Sequence, residues 1–166
     1  MDLDSTVRDL APRLLGYCLL ETGDASLAED IAQDSLTALV QRWRRYGPPD
    51  SPAAFVFAIA RRRSARAMVR RRLVRPLEEI LGLGDGHPTP EEAAVMSSER
   101  ARLVRALSRL RPADRRQLLL VTVWDQGMED AARMLGISVS AAKMRTLRAR
   151  QRLRALLEEE DNHGQR

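Results

Sequence analysis

The sequence predicts an all-helical protein made of two small domains joined by a flexible linker. Strong helix formers, chiefly Ala, Leu, Arg and Glu, dominate the 166 residues. Aromatic residues make up only 4%, and no segment alternates apolar and polar residues over the length of a strand. Proline, glycine and acidic residues accumulate from 75 to 95, which predicts a linker between a domain of 1–74 and a domain of 96–160. Residues 161–166 are expected to form a tail.

Charge and cysteine usage narrow the class of protein. The net charge is +5, and the arginines are clustered in a way that suits a polyanionic partner. Cys18 is the single cysteine, so no intrachain disulfide is possible and a reducing cytoplasm is the expected location. The first residues lack the pattern of a signal peptide, and no apolar run approaches bilayer length. We therefore expect neither export nor membrane insertion.

Catalysis is not expected, because the residues that carry it do not cluster along the chain. His87 lies in the linker, His163 lies in the tail, and Cys18 stands alone. A hydrolase or a metal enzyme needs a nucleophile, a base or several ligands that converge on one point. A glycine-rich loop for phosphate is also missing. The sequence thus predicts no catalytic residue, no metal site and no cofactor.

The first domain contains an amphipathic helix with a narrow polar side. Ser26-Leu27-Ala28-Glu29 has the form of a capping box, which predicts a helix from this point to about Trp43. One side of this helix is broad and apolar. The other side is a polar stripe, formed by Asp30, Gln33, Asp34, Thr37 and Gln41. Composition alone favours a face that only contacts water, and the alternative is a docking surface for a basic helix of a partner protein.

A second helix of the first domain carries a high density of arginine. Ser51-Pro52 should begin it, because serine is a good cap and proline suits the first turn. The helix is apolar at first, from Phe55 to Ile59, and then becomes arginine-rich from Arg61 to Arg75. Arginines at every angle of a helix repel one another, so a polyanion is the expected partner. Nucleic acid is favoured over a membrane surface, because the helix lacks a long apolar face.

The C-terminal domain carries the pattern of a DNA-binding helix-turn-helix. The stretch from Met128 to Ser138, which runs into Val139 to Arg150, has the pattern of a helix, a tight turn and a second helix. Ala132 is small where the helices must approach closely, Gly136 supplies a permissive backbone, and Ser138 can cap the second helix. A solvated basic helix within a bundle is the less specific alternative.

The second helix of this motif has two distinct faces. On a helical wheel the expected buried face consists of Ala142, Thr146, Ala149, Leu153 and Leu156. The opposite face would enter a major groove. Met144 and Leu147 suit thymine methyl groups there, while Lys143 and Arg148 suit guanine edges or phosphates.

The order of these motifs along the chain supplies a family resemblance. Four motifs follow one another along the chain. They are Ala28-Glu29-Asp30 with Gln33-Asp34-Ser35-Leu36, the run from Phe55 to Arg61, the run from Leu110 to Arg116, and the helix-turn-helix. This series resembles a bacterial sigma factor of the extracytoplasmic-function (ECF) group, in the sigma-70 family. The resemblance extends from about Val7 to Glu158.

The resemblance implies that the two domains are sigma regions 2 and 4 and that the protein directs promoter-specific transcription initiation. Its partners would be core RNA polymerase, promoter DNA and an anti-sigma factor. The polar stripe would bind polymerase. The downstream (minus-ten) element would contact Tyr46, Asp50, Ser51, Phe55, Arg61, Arg62, Arg63 and Arg66. The upstream (minus-thirty-five) element would contact Ser140, Ala141, Lys143, Met144, Arg145, Leu147 and Arg148.

Several residues depart from the family pattern, and other functions compete with this one. Arg62 stands where asparagine is frequent, Arg66 where an acid is frequent, and Met144, Thr146 and Leu147 also differ, so the bases read do not follow from the resemblance. The main rival is a stand-alone helix-turn-helix regulator, although no dimerisation heptad is evident. A helical adaptor bound to other proteins is a third interpretation.

Overall fold

A computed structural model gives the backbone of residues 2–81 and 98–164, and the side chains of 2–70, 99 and 101–159. Helices and connecting turns make up these described residues, which confirms the prediction of an all-helical protein. The chain divides into two compact units, Met1–Pro88 and Thr89–Arg166. No helix within the described ranges combines the length and the apolar character needed to cross a bilayer.

The described residues of the first unit form three helices, each packed against the other two. They are α1 (Leu3–Thr22), α2 (Ala25–Tyr46) and α3 (Pro52–Leu81). Large side chains from all three are fully buried between them, among them Leu14, Tyr17, Leu39 and Phe57. The ring centroids of Tyr17 and Phe57 lie 5.0 Å apart. Burial of such side chains contributes about 1.5–3 kcal/mol each, and it fixes which faces of α2 and α3 point outward.

The start of α2 differs from the predicted capping box at Ser26. Asp24 is the N-cap, and its carboxylate accepts a hydrogen bond of 2.9 Å from the backbone N–H of Leu27. Gly23 ends α1 in the left-handed region, with φ at 65°, so the chain has already turned when Asp24 is reached. Because Asp is as good a cap as Ser, α2 begins at Ala25. The helix continues three residues past Trp43 to Tyr46 and stops at Gly47.

Ser51 and Pro52 begin α3 as predicted, since the Ser51 hydroxyl accepts a bond of 3.2 Å from the N–H of Ala54. The linker was predicted to start at residue 75, and the structure continues α3 through the first part of that segment to Leu81. The residues after Pro76 are leucine, glutamate and isoleucine, which favour helix, and the first glycine comes only at Gly82. The rest of the predicted linker, 82–95, lies outside the described residues.

The second unit contains four helices within the described residues. They are α4 (Ser98–Ser108), α5 (Pro112–Thr122), α6 (Met128–Leu135) and α7 (Val139–Gly164). The long helix α7 packs against each of the other three. Trp124, Leu120 and Leu156 are the largest apolar side chains buried in this unit. Because α7 continues to Gly164, most of the predicted tail is helical, and only 165 and 166 lie outside the described residues.

Helices α6 and α7 form the predicted helix-turn-helix. Gly136 ends α6 with φ at 69°, a left-handed conformation that favours glycine, and the Ser138 hydroxyl accepts a bond of 3.2 Å from the N–H of Ala141. Ala132 is buried, as its small size suggested. On α7 the predicted buried face is confirmed for Ala142, Thr146, Ala149 and Leu156, while Leu153 is half-buried.

Candidate functional site

The outer face of α7 consists of side chains that point away from the core. Six of the seven residues predicted to read the upstream element are exposed. They are Ser140, Ala141, Lys143, Met144, Leu147 and Arg148. Met144 and Leu147 are large apolar side chains on this face, and they are 48% and 49% exposed. Arg145 is the exception, because it is half-buried and its Nε lies 3.9 Å from the Asp114 carboxylate on α5.

A buried polar pair joins the inner face of α7 to α5. The Gln117 amide donates a hydrogen bond of 3.1 Å to the Thr146 hydroxyl, and the hydroxyl donates a bond of 2.9 Å to the Ala142 carbonyl. The sulfur of Met128 is 3.6 Å from the same amide nitrogen. Gln117 is fully buried and Thr146 nearly so. Buried polar groups require specific partners, so this pair favours one position of α7 on α5.

The arginines of α3 are not equivalent. Arg62 and Arg66 are exposed, whereas Arg61 is half-buried. Arg63 is also exposed, but its guanidinium forms an ion pair with Asp34 on α2. The sequence placed Arg63 in the DNA site and Asp34 in the polymerase site, and the structure brings the two together. Arg62 and Arg66 are therefore better placed than Arg63 for phosphate contacts.

Tyr46, the last residue of α2, has an exposed aromatic side chain with 65% of its surface accessible. The guanidinium carbons of Arg42 and Arg45 lie 5.1 and 5.2 Å from its ring centroid, within cation–π range. Arg42 also donates a bond of 2.8 Å to the carbonyl of Gly47, which holds the start of the loop. Neither arginine was predicted to belong to the site, although a basic residue in the last turn before glycine is a common way to bind helix C-terminal carbonyls.

The remaining downstream-element residues differ in exposure. Asp50 and Ser51 are exposed, and the Ser51 hydroxyl is already used to cap α3. Phe55, one turn into α3, is half-buried. The loop from Tyr46 to Ser51 thus exposes an aromatic ring and a carboxylate to solvent. Only part of the Phe55 ring is accessible to a ligand at this site.

The polar stripe of α2 is fully outward, since Asp30, Gln33, Asp34, Thr37 and Gln41 are all exposed. Beside it runs an open groove of about 590 Å³ between α1 and α2. Apolar side chains of both helices line this groove, namely Ala11, Leu15, Ala32, Leu36 and Val40. Leu36 and Val40 belong to the broad apolar side predicted for this helix, but the groove that they line was not predicted. The apolar side of α2 is broader than α1 and α3 together can cover.

Cys18 is a buried thiol with no catalytic character. The pKa of the thiol is raised to about 12, chiefly by burial and also by nearby Glu21, while the Ser64 hydroxyl acts in the opposite direction. The thiolate, which is the reactive form, is therefore scarce at neutral pH. Over the part of the chain that the structure describes, no group of three or more His, Cys, Asp or Glu side chains is placed to hold a metal ion.

Comparison with known proteins identifies both units. Residues 6–74 match the family model for sigma-70 region 2, and residues 100–153 match the model for sigma-70 region 4. The ECF RNA polymerase sigma factor ShbA of Streptomyces griseus is 36% identical over 161 residues, covering 89% of this chain and 83% of that protein. The ECF RNA polymerase sigma factor RpoE of Cereibacter sphaeroides is 30% identical over 145 residues, covering 87% and 80%.

Solved structures give the same result. The sigma factor RpoE of Bartonella quintana, determined with the anti-sigma factor NepR, matches with a TM-score of 0.67 and 25% identity, covering 89% of this chain and 91% of that one. CnrH, determined with the cytosolic domain of CnrY, has a TM-score of 0.65 at 22% identity, which supports the fold, and covers 95% and 88%.

The chain belongs to the sigma-70 family and, within it, to the ECF sigma factors. It is a polymerase-binding factor that directs transcription from promoters, rather than a stand-alone regulator.

Proposed function

We propose that this sigma factor works through three surfaces described above. The polar stripe of α2 docks on core RNA polymerase, the loop after α2 and the exposed arginines of α3 hold the melted strand of the minus-ten element, and the outer face of α7 reads the minus-thirty-five element. The domain of residues 1–74 would bind polymerase and the minus-ten element. The domain of residues 96–160 would bind the minus-thirty-five element. The main support is that α2 and α7 each pack one face into the core of their unit and leave the opposite face, with its polar or basic residues, exposed.

Polymerase docking through the stripe is supported by its charge and its exposure. Reversing both acids, with Asp30→Arg and Asp34→Arg, replaces attraction to a basic partner surface by repulsion, which costs several kcal/mol at close contacts. Core polymerase should then fail to co-purify with the variant while its circular dichroism is unchanged. A control with the same change in net charge, Asp9→Arg with Glu158→Arg, alters exposed acids away from the stripe and should still bind. Normal binding by the stripe variant would refute the docking role.

Strand capture through α3 is supported by the exposure of Arg62 and Arg66. Each phosphate contact to single-stranded DNA contributes about 0.7 to the slope of log affinity against log salt. The variant Arg62→Ala with Arg66→Ala should therefore form open complexes poorly and lose up to about 1.4 units of that slope. Arg8→Ala with Arg13→Ala, on α1, is the control with equal loss of charge. Permanganate footprints that are the same for all three proteins would exclude this role.

Tyr46 supplies a stacking platform in the same region. Stacking of a base on an aromatic side chain is worth about 1–3 kcal/mol, and the flanking guanidiniums of Arg42 and Arg45 add positive charge. Tyr46→Ala should impair promoter melting, whereas Tyr46→Phe keeps the ring and should retain it. If the two variants melt DNA equally well, the ring takes no part in strand binding.

Regulation by an anti-sigma factor is proposed on two grounds. The related structures are of sigma factors bound to NepR and to CnrY. The α1–α2 groove and the outer face of α7 also leave apolar side chains open to a partner. We propose that the protein acts in the cytoplasm, where polymerase works, as a transcription initiation factor and not as an enzyme. Co-purification from the native cell under non-inducing conditions tests for such a partner.

A further inference from the structure

Met144 and Leu147 form a small apolar patch in the middle of the outer face of α7. Each leaves about half of its surface accessible, at 48% and 49%. The unit's core does not need them, because the opposite face of α7 is filled by Ala142, Thr146 and Ala149. Two large apolar side chains at this exposure lose favourable burial unless something covers them. A partner that covers the patch in the working complex would therefore gain free energy from its burial.

The surroundings of the patch indicate what that partner is. Lys143 precedes it, Arg148 follows it, and Ser140 lies one turn before Met144, all of them exposed. The positive charges of Lys143 and Arg148 lie on either side of the two apolar side chains, so a polyanion is the complementary partner. In the major groove of DNA, thymine is the base that presents an apolar group, its 5-methyl. The chemistry of the patch thus matches thymine-bearing duplex DNA.

The spacing of the two side chains fits neighbouring base pairs. Residues three apart on a helix are separated by about 4.5 Å along the axis and about 60° around it. Successive base pairs along one strand are about 3.4 Å apart. One side chain can therefore reach each of two adjacent base pairs without a bend in the helix.

We propose that Met144 and Leu147 read the 5-methyl groups of two neighbouring thymines, on either strand, in the upstream promoter element. This inference rests on the proposed role of α7 as the recognition helix and adds the chemical group that is recognised. It also assigns to the basic neighbours the phosphates and hydrogen-bonding edges around that pair.

Replacement of thymine by deoxyuracil tests the contact, because uracil lacks only the methyl and keeps every hydrogen-bonding group. Burial of one methyl is worth roughly a fourfold change in affinity. The full-length protein with core polymerase is first used to select an upstream element from a randomised library by in vitro transcription. Each thymine of the selected element is then replaced in turn, and the holoenzyme concentration for half-maximal open complex is measured.

The expected result is a loss of about fourfold at each of two adjacent positions, about sixteenfold for both, and no loss elsewhere. Met144→Ala should abolish the discrimination at one position and Leu147→Ala at the other. Arg148→Ala is the matched control from the same face. It should weaken binding to the thymine and uracil templates equally, so that their ratio is unchanged.

Three outcomes would overturn the proposal. A selected element that binds equally well with uracil at every position shows that α7 recognises the promoter without the methyl groups. Unchanged selectivity in both alanine variants shows that other groups recognise the methyls and that Met144 and Leu147 do not. If no upstream element is selected at all, the proposed role of α7 fails together with the inference.

Discussion

Thr146→Val is expected to destabilise the second unit, although valine has almost the same shape as threonine. The Thr146 hydroxyl is the oxygen acceptor of the Gln117 amide, at 3.1 Å, and both side chains are buried. After the substitution the amide retains only the Met128 sulfur, at 3.6 Å, which is a weak acceptor. The other end of the amide, Gln117 Oε1, has no partner among the described residues. A buried amide left in this state costs about 1–3 kcal/mol.

Urea denaturation followed by tryptophan fluorescence measures this loss. Trp124 is buried in the second unit and Trp43 belongs to the first, so a Trp43→Phe background makes the signal report the second unit alone. The urea midpoint should fall without a change in slope. The melting temperature of a small domain falls by about 4–8 °C for each kcal/mol of lost stability. The melting temperature in a parallel thermal scan should therefore fall by about 4–8 °C for each kcal/mol measured in urea.

The double variant Gln117→Leu with Thr146→Val separates hydrogen bonding from packing. It replaces both polar groups by apolar groups of similar size, which is close to neutral when the fit is kept. We therefore expect the double variant to be more stable than Thr146→Val alone, with a coupling of at least about 1 kcal/mol in the mutant cycle. Additive losses in the two single variants would show that the pair contributes only volume, and the reasoning would be refuted.

Three other predictions concern single positions. Gly136→Ala forces a side chain into the left-handed region at φ of 69°, so the second unit should lose about 1–2 kcal/mol in a melting experiment, and an unchanged melting temperature would contradict this. Because the pKa of Cys18 is raised to about 12 from 9.0, the native protein should resist thiol reagents at pH 8, and rapid native labelling counts against this. The contribution of Cys18 to stability should be constant below pH 9 and fall between pH 9 and 12. Asp34→Asn frees Arg63 and should raise the affinity of the free protein for single-stranded DNA by up to about fivefold, the limit for an exposed ion pair, whereas Asp30→Asn, which removes the same charge without that pair, should give less.

The helix-turn-helix could be predicted almost completely from the sequence. The buried face of α7, the cap at Ser138 and the turn at Gly136 all follow from local rules of helix geometry and backbone conformation. The same holds for the cap at Ser51. These features depend on residues within a few positions of one another, so one sequence is enough to predict them.

Features that depend on contacts between helices could not be predicted in the same way. The ion pair between Asp34 and Arg63 joins two helices that pack only in the folded unit, so the periodicity of either helix gives no sign of it. The Gln117–Thr146 hydrogen bond could not be predicted for the same reason. The periodicity of α7 places Thr146 on the buried face, but only the packing of α5 shows that an amide lies beside its hydroxyl. The start of α2 was wrong for a local reason, since two good caps, Asp24 and Ser26, lie two residues apart.

Transcription by reconstituted holoenzyme tests the central claim most directly. Purified core polymerase, with and without this protein, would transcribe fragmented genomic DNA, and the 5′ ends of the products would be mapped. The account predicts discrete start sites that require the protein and share an upstream and a downstream element at constant spacing. Start sites that are the same without the protein, or products that share no element, would contradict it.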